Sequence, residues 1–232
     1  MNVPWAVGPT NAVSVSSKEH PVALERASDV AYRLLQERIV DLRLPPGTFL
    51  NEQRLASELE LGRMPIREAL ARLASDRFIT VLPRRGTVVT ELALDTVLDM
   101  FEAREAIECG VAYIAATRAS TQDLHELRLL VEAADRAREG GNHEQFLRDD
   151  HAVHAFLVHM IRNPLLQDAG DRLLLHSLRF WRSYWANRPA TPEAMLSHDE
   201  LIAALEFRDP DGAERAMRQH LHNSRQLVKD LF

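Results

Sequence analysis

Two β-type runs, Phe78-Ile79-Thr80-Val81 and Thr87-Val88-Val89-Thr90, lie five residues apart in a chain that otherwise reads as helix. Between them stands Leu82-Pro83-Arg84-Arg85-Gly86, so the pair predicts a hairpin with two arginines at its tip. Upstream, Val30, Leu34, Leu35, Ile39 and Leu42 follow helical spacing from Ser28, the expected N-cap, until Pro45-Pro46-Gly47 ends the run. Asn51 then caps a short helix carrying Leu55, Ala56 and Leu59, which stops near Gly62. Pro65 sits in the opening turn of a third helix whose buried face is Ile66, Leu70 and Leu73. Helix, helix, tight turn, helix, hairpin is the order of a winged helix-turn-helix, whose third helix enters the DNA major groove N-terminus first.

Arg63 and Arg67 share the other face of that third helix, at its start. A helix N-terminus is already positive, so two cations there cost a little stability and imply an anionic partner outside. The arginine fork fits guanine O6/N7 or phosphate oxygens. The alternative is a solvated face, with the arginines paired to carboxylates such as Glu60. Against it stands the coincidence, in order, of the proline-started helix, the short helix before it and the arginine-tipped hairpin. Charge supports this: the chain is −6 overall, yet residues 61–90 carry six basic and two acidic residues. A local basic patch is what phosphate binding needs, whatever the whole-chain charge.

From Asp95 onward the pattern is helical, with segments expected at 95–118, 121–139, 142–160, 163–187, 192–207 and 210–230. The breaks carry cap or breaker residues: Ser120-Thr121, Gly140-Gly141-Asn142, Asn163-Pro164, Arg188-Pro189 through Pro192, and Asp209-Pro210. Six such helices predict an antiparallel bundle with room for a ligand. The expected fold is therefore mainly α: a loose tail over 1–25, a winged helix-turn-helix over 26–92, and an all-helical bundle over 95–232 for effector binding and dimerisation. The lone cysteine, Cys109, excludes an intrachain disulfide framework, no apolar run reaches membrane-helix length, and the opening residues lack a signal-peptide pattern. A cytoplasmic protein without membrane contact is expected.

Within the bundle, "RDDHAVHAFLVHM" places Asp150 and His154 four apart, on one helix face. Carboxylate oxygen and imidazole nitrogen are ordinary ligands of first-row divalent metals. His198 and His220 lie in helical settings downstream, and the four would make a facial set with open positions. Spacing alone leaves open a structural or solvated Asp-x-x-x-His pair. His151, His159 and His222 are assigned to that ordinary role. Arg179, Trp181, Arg182, Tyr184 and Trp185 form a dense aromatic–arginine stretch, read as core packing or a subunit contact rather than a cavity lining.

"LPPGTFLNEQRLASELELGRMPIREALARLASDRFITVLPRRGTVVTEL", residues 44–92, resembles the DNA-binding domain of GntR-type bacterial transcription regulators. Gly62 stands where that family commonly has Ser or Thr, removing a hydroxyl that could cap the helix, and Arg77 replaces a usual glycine after the recognition helix. The helical half resembles the effector domain of the FadR-type branch, the FCD domain, with six helices as in the VanR-like subgroup. That resemblance implies a divalent metal, Zn²⁺, Ni²⁺ or Mn²⁺, on Asp150, His154, His198 and His220. It also places Arg104, in "FEAREAIE", where the family carries an arginine able to hold an effector carboxylate. The other reading of Arg104 is an i,i+4 partner of Glu108 on a solvated face. The candidate DNA contacts are Gln53, Arg54, Arg63, Met64, Arg67, Arg84, Arg85 and Gly86. The function so implied is a non-enzymatic, ligand-responsive regulator, by family default a repressor. It would bind double-stranded operator DNA as a homodimer and take a small carboxylate effector. The rival is a metal-dependent hydrolase using the Asp/His₃ site.

Overall fold

A computed structural model describes residues 25–186 and 196–229, so the expected tail lies outside the described residues except for Glu25. The first module runs α1 (Ala27–Val40), β1 (Phe49–Leu50), α2 (Glu52–Glu58), α3 (Arg63–Ser75), β2 (Ile79–Leu82) and β3 (Gly86–Val89). α1 starts one residue before the expected cap: Arg26 holds the N-cap position without a side-chain cap, and Ser28 lies inside the first turn. Asn51 does cap α2, its side chain accepting from the Arg54 N–H, and the helix ends at Glu58, short of Gly62. The hairpin forms as expected, with Ile79 opposite Val89 and Leu82 opposite Gly86. β1 is a strand that the sequence pattern did not show; it pairs antiparallel with β3, Phe49 opposite Val88, giving a three-stranded sheet in the order β1-β3-β2. Arg77 closes the turn after α3 at φ +65°, so it takes the left-handed conformation a glycine would adopt more easily.

Among the described residues the second module holds six helices: α4 (Leu94–Arg118), α5 (Thr121–Glu139), α6 (His143–Met160), α7 (Pro164–Trp185), α8 (Asp199–Glu206) and α9 (Pro210–Lys229). Their starts are set by local chemistry. Ser120 and Asp123 form a reciprocal capping box at α5, and Asn142 and Asn163 cap α6 and α7, the latter with Pro164 in the first turn. One correction concerns the segment expected to be helical over 192–207. Residues 196–198 are non-helical, α8 starts at Asp199, and the expected start at 192 lies outside the described residues. The Ser197 hydroxyl accepts the Asp199 N–H, which fixes this turn just ahead of the helix.

The bundle has its own core, built on Ala112, Ala115, Leu127, Val153, Leu157, Leu205 and Met217. The core of the first module does not stop at the linker. It continues from Leu35, Ile66, Leu73 and Phe78 into Val97, Phe101, Phe180 and Trp181, so apolar packing joins the modules. Polar contacts cross the same seam: the His176 Nε2–H donates to the Asp76 carbonyl at 2.8 Å, and Arg182 pairs with Asp41. The aromatic–arginine stretch is thus mainly core, with Phe180 and Trp181 buried and Tyr184 and Trp185 packed against them.

Candidate metal centre and nucleic-acid interface

α3 buries Ile66, Ala69, Leu70 and Leu73, which leaves its first turn outward, with Arg63, Met64 and Arg67 exposed. Gly62 occupies the N-cap and supplies no side-chain cap, in keeping with the missing hydroxyl. The expected carboxylate partner, Glu60, is not the one used. Arg67 Nη2 and Nε donate instead to Glu52 Oε2 at 2.9 and 3.3 Å. Arg54 is likewise held, by Glu58 at 2.6 Å, whereas Arg63, Arg84 and Arg85 make no ion pair among the described residues. Pairs this exposed are weak and readily exchanged for another anion. The wing turns through Arg84 at φ +62° and Gly86 at φ +103°; both residues, Arg85 between them and Gln53 on α2 are exposed.

The four expected metal ligands converge. Asp150 and His154 come from α6, His220 from α9, and His198 from the N-cap position of α8, not from within a helix. One donor atom from each lies within 4.8 Å of all the others. His154 Nε2 and His198 Nε2 are 3.3 Å apart, and Asp150 Oδ1 is 3.6 Å from His198 Nε2. Ligands bound at about 2.1 Å to one ion stand roughly 3–4 Å from each other, so this spacing fits a shared cation. The supporting hydrogen bonds fit too. His154 Nδ1–H donates to Glu108 Oε2 at 2.6 Å and His220 Nδ1–H to the Ser197 carbonyl at 3.4 Å, which turns each Nε2 toward the cluster.

Glu108 is the residue whose part sequence reasoning missed. Its pairing with Arg104 exists, at 2.6 Å, but on a buried face: the two side chains are 4% and 1% exposed. Arg104 Nη1 also donates to Ser177 on α7 at 2.8 Å. Burial by itself pushes the Glu108 carboxyl up, but Arg104 and then His154 outweigh it and hold it far below the usual carboxylate range. A signal was present, since Phe101, Arg104, Glu108, Ala112 and Ala115 recur at helical period and form one buried stripe. Arg104 also lines a small cavity beside Asp150 and His220, walled by Phe146, Trp181 and Trp185. The three histidines set aside lie elsewhere: His159 pairs with Asp171, His222 meets Gln226, and His151 lines a groove against α1 and α3.

Burial, followed by the mutual repulsion of neighbouring imidazoles and Arg104, lowers His198 well below its ordinary value and His220 to about 3. Both are therefore neutral, as metal ligands must be. In the unfolded chain they take up protons below about pH 6.5, and in the folded site they do not. Their stabilisation is present above that pH and is lost as pH falls toward about 3. Burial raises the Asp150 carboxyl, which works the opposite way, one group against two. The thermal midpoint of chelator-treated protein should fall between about pH 7 and about pH 5. A midpoint that rises on acidification would contradict this assignment of neutral histidines.

Comparison with known proteins bears on both halves. Residues 27–89 match the model for bacterial regulatory proteins of the gntR family, and residues 99–223 match the FCD domain. The chain is 30% identical over 201 residues to the HTH-type transcriptional repressor RspR of Escherichia coli K12, covering 86% of this chain and 88% of that one. It is 32% identical over 201 residues to the HTH-type transcriptional repressor GlaR of the same organism, covering 82% and 90%. Among solved structures, E. coli McbR/YncC superimposes with a TM-score of 0.74 at 24% identity, over 88% of this chain and 98% of that one, which is a likeness of fold. No helix among the described residues is long and apolar enough to cross a membrane.

Proposed function

We propose a function from one premise: this chain belongs to the gntR family of bacterial regulatory proteins and carries an FCD domain, in a family of transcription regulators and not of enzymes. The chain is a cytoplasmic repressor that binds operator DNA through its first module and releases it when a small organic acid occupies the helical domain. We divide it at 92–95. Repression follows the names of the relatives RspR and GlaR. The observation that carries DNA recognition is the exposed first turn of α3, where, among the described residues, Arg63 makes no ion pair and Arg67 is held only by an exposed carboxylate. Arg63 and Arg67 take guanine edges or phosphates, and Met64, 60% exposed beside them, suits a thymine methyl. Gln53 and Arg54 at the start of α2 and the wing residues Arg84, Arg85 and Gly86 contact the backbone. One module reads few base pairs, so a two-fold dimer supplies the second half-site. The direct test is selective retention of the chain's own promoter fragments at moderate salt; retention equal to that of random DNA would refute the reading.

Asp150, His154, His198 and His220 would hold one divalent cation, Zn²⁺, Ni²⁺ or Mn²⁺, with N/O donors that suit all three. When bound, the ion would supply a positive charge able to take an effector carboxylate. Arg104, at the edge of the adjoining cavity, supplies a second charge for it while keeping its pairing to Glu108. A hydrolase would need a free general base beside the cluster. Glu108 adjoins it, but both its oxygens are engaged by Arg104 and His154. Protein purified without added metal should carry about one divalent ion per chain, and His154→Ala should carry none, with a lower thermal midpoint. Wild-type protein free of metal, together with a His154→Ala variant of unchanged midpoint and effector affinity, would remove the metal from the proposal.

A further inference from the structure

Two arginines are buried among the described residues, Arg104 and Arg179, and they are treated differently. Arg104 has its carboxylate in Glu108, but Arg179, 1% exposed on α7, has no carboxylate within ion-pair distance among the described residues. Its Nη2 donates to the Thr90 carbonyl, and its Nε has no hydrogen-bond partner among the described residues. A buried guanidinium without a counter-ion is costly, and proteins ordinarily pair such charges. Burial lowers its pKa to about 10, only partly countered by the field of Glu91. The Glu91 carboxylate packs against Gly47, so closely that a Cβ built there would meet its Oε1 at 2.6 Å, and Glu91 also lines the cavity that Arg179 faces.

Arg179 lines a cavity of about 660 Å³ between the modules, a size that accommodates a small organic molecule. Its walls are the end of α3, β2, residues 90–92, the first turns of α4, and α7; α6, α8 and α9, which carry the metal ligands, contribute none. Hydrocarbon dominates, from Ile79, Val97, Met100, Leu173 and Phe180. The other polar group on α7, His176, is committed to the Asp76 carbonyl and stacks on Phe78 at 4.0 Å.

We propose that this interdomain cavity is a second ligand site, taking a small carboxylic acid with an apolar body whose carboxylate pairs with Arg179. It is separate from the metal centre and does not depend on it. Since both modules wall the cavity, an occupant favours one relative placement of the two, which is what a modulator of DNA binding must do.

The test uses the full chain with chelator present, so that the metal centre is out of play, and reads thermal midpoints. The probes are phenylacetate, hexanoate and octanoate, with the corresponding amides as uncharged controls. At about a hundredfold excess over Kd an acid should raise the midpoint by roughly 5–10 °C, and its amide should not. Arg179→Met removes the charge at nearly constant volume, and Ala103→Phe fills the cavity with Arg179 kept. Each should weaken acid binding at least tenfold, while the ligand-free midpoint of Arg179→Met holds or rises. Acid and amide acting alike, no response to any acid, or a response that survives both substitutions would overturn the proposal. So would loss of the oligomer on Ala103→Phe with no acid response in either protein, which would make the cavity a contact between copies.

Discussion

Replacing Glu108 with alanine should destabilise the protein by about 3–5 kcal/mol, the cost of breaking a buried ion pair from one side. The variant would leave Arg104 buried with, among the described residues, the Ser177 hydroxyl as its one hydrogen-bond partner, and would leave His154 Nδ1 without its acceptor. For a chain of this size that corresponds to a fall of roughly 6–20 °C in the thermal midpoint. The same change frees the His154 ring to turn and to protonate the wrong nitrogen, so metal affinity should drop about 10–100-fold, as when a histidine ligand loses its supporting carboxylate. Glu108→Gln keeps the shape and one acceptor but not the charge, and should fall between. The double variant Arg104→Met/Glu108→Leu removes both charges together and should be more stable than Glu108→Ala, because no uncompensated ion remains. Urea unfolding followed by circular dichroism, with metal titration of each variant, checks all three. A Glu108→Ala protein within about 1 kcal/mol of wild type would show that the pair is not the support of His154 described above.

What the sequence revealed and what it hid divide along the range of the forces involved. Asn51, Ser120, Asn142 and Asn163 start their helices through hydrogen bonds two or three residues long, so reading them needs no knowledge of the fold. The Phe49–Leu50 strand is only two residues long and exists by pairing with β3, nearly forty positions downstream, and so short a run has no periodicity to read. Asp150 and His154 were legible as a pair because one helical turn joins them. That His198 stands ahead of α8 depends on where that helix begins within the bundle, which no local pattern records. The Arg104–Glu108 spacing is the same on a wet face or a dry one. Which of the two it is depends on what arrives from outside α4, here His154 of α6 and Ser177 of α7.

Arg63→Ala should weaken operator binding by about 1–3 kcal/mol if the guanidinium grips a base edge, and should relax specificity at one position. If it grips a phosphate instead, binding should fall uniformly across sequences and the slope of log K against log salt should shrink by about one. Arg67→Ala should cost less than Arg63→Ala, for a reason visible in the free protein. Among the described residues Arg63 has no carboxylate to leave, whereas Arg67 must first leave Glu52, so part of its gain on DNA is spent before contact. Glu52→Ala removes that competitor and, since an exposed pair is worth about 0.2–1 kcal/mol, should tighten DNA binding by no more than roughly fivefold. In the Glu52→Ala background, Arg67→Ala should then cost more than it does in the wild type. Fluorescence anisotropy on operator and scrambled duplexes at several salt concentrations separates these terms. Full retention of operator affinity by the Arg63→Ala/Arg67→Ala double variant would mean that the first turn of α3 does not face the DNA, whatever its exposure.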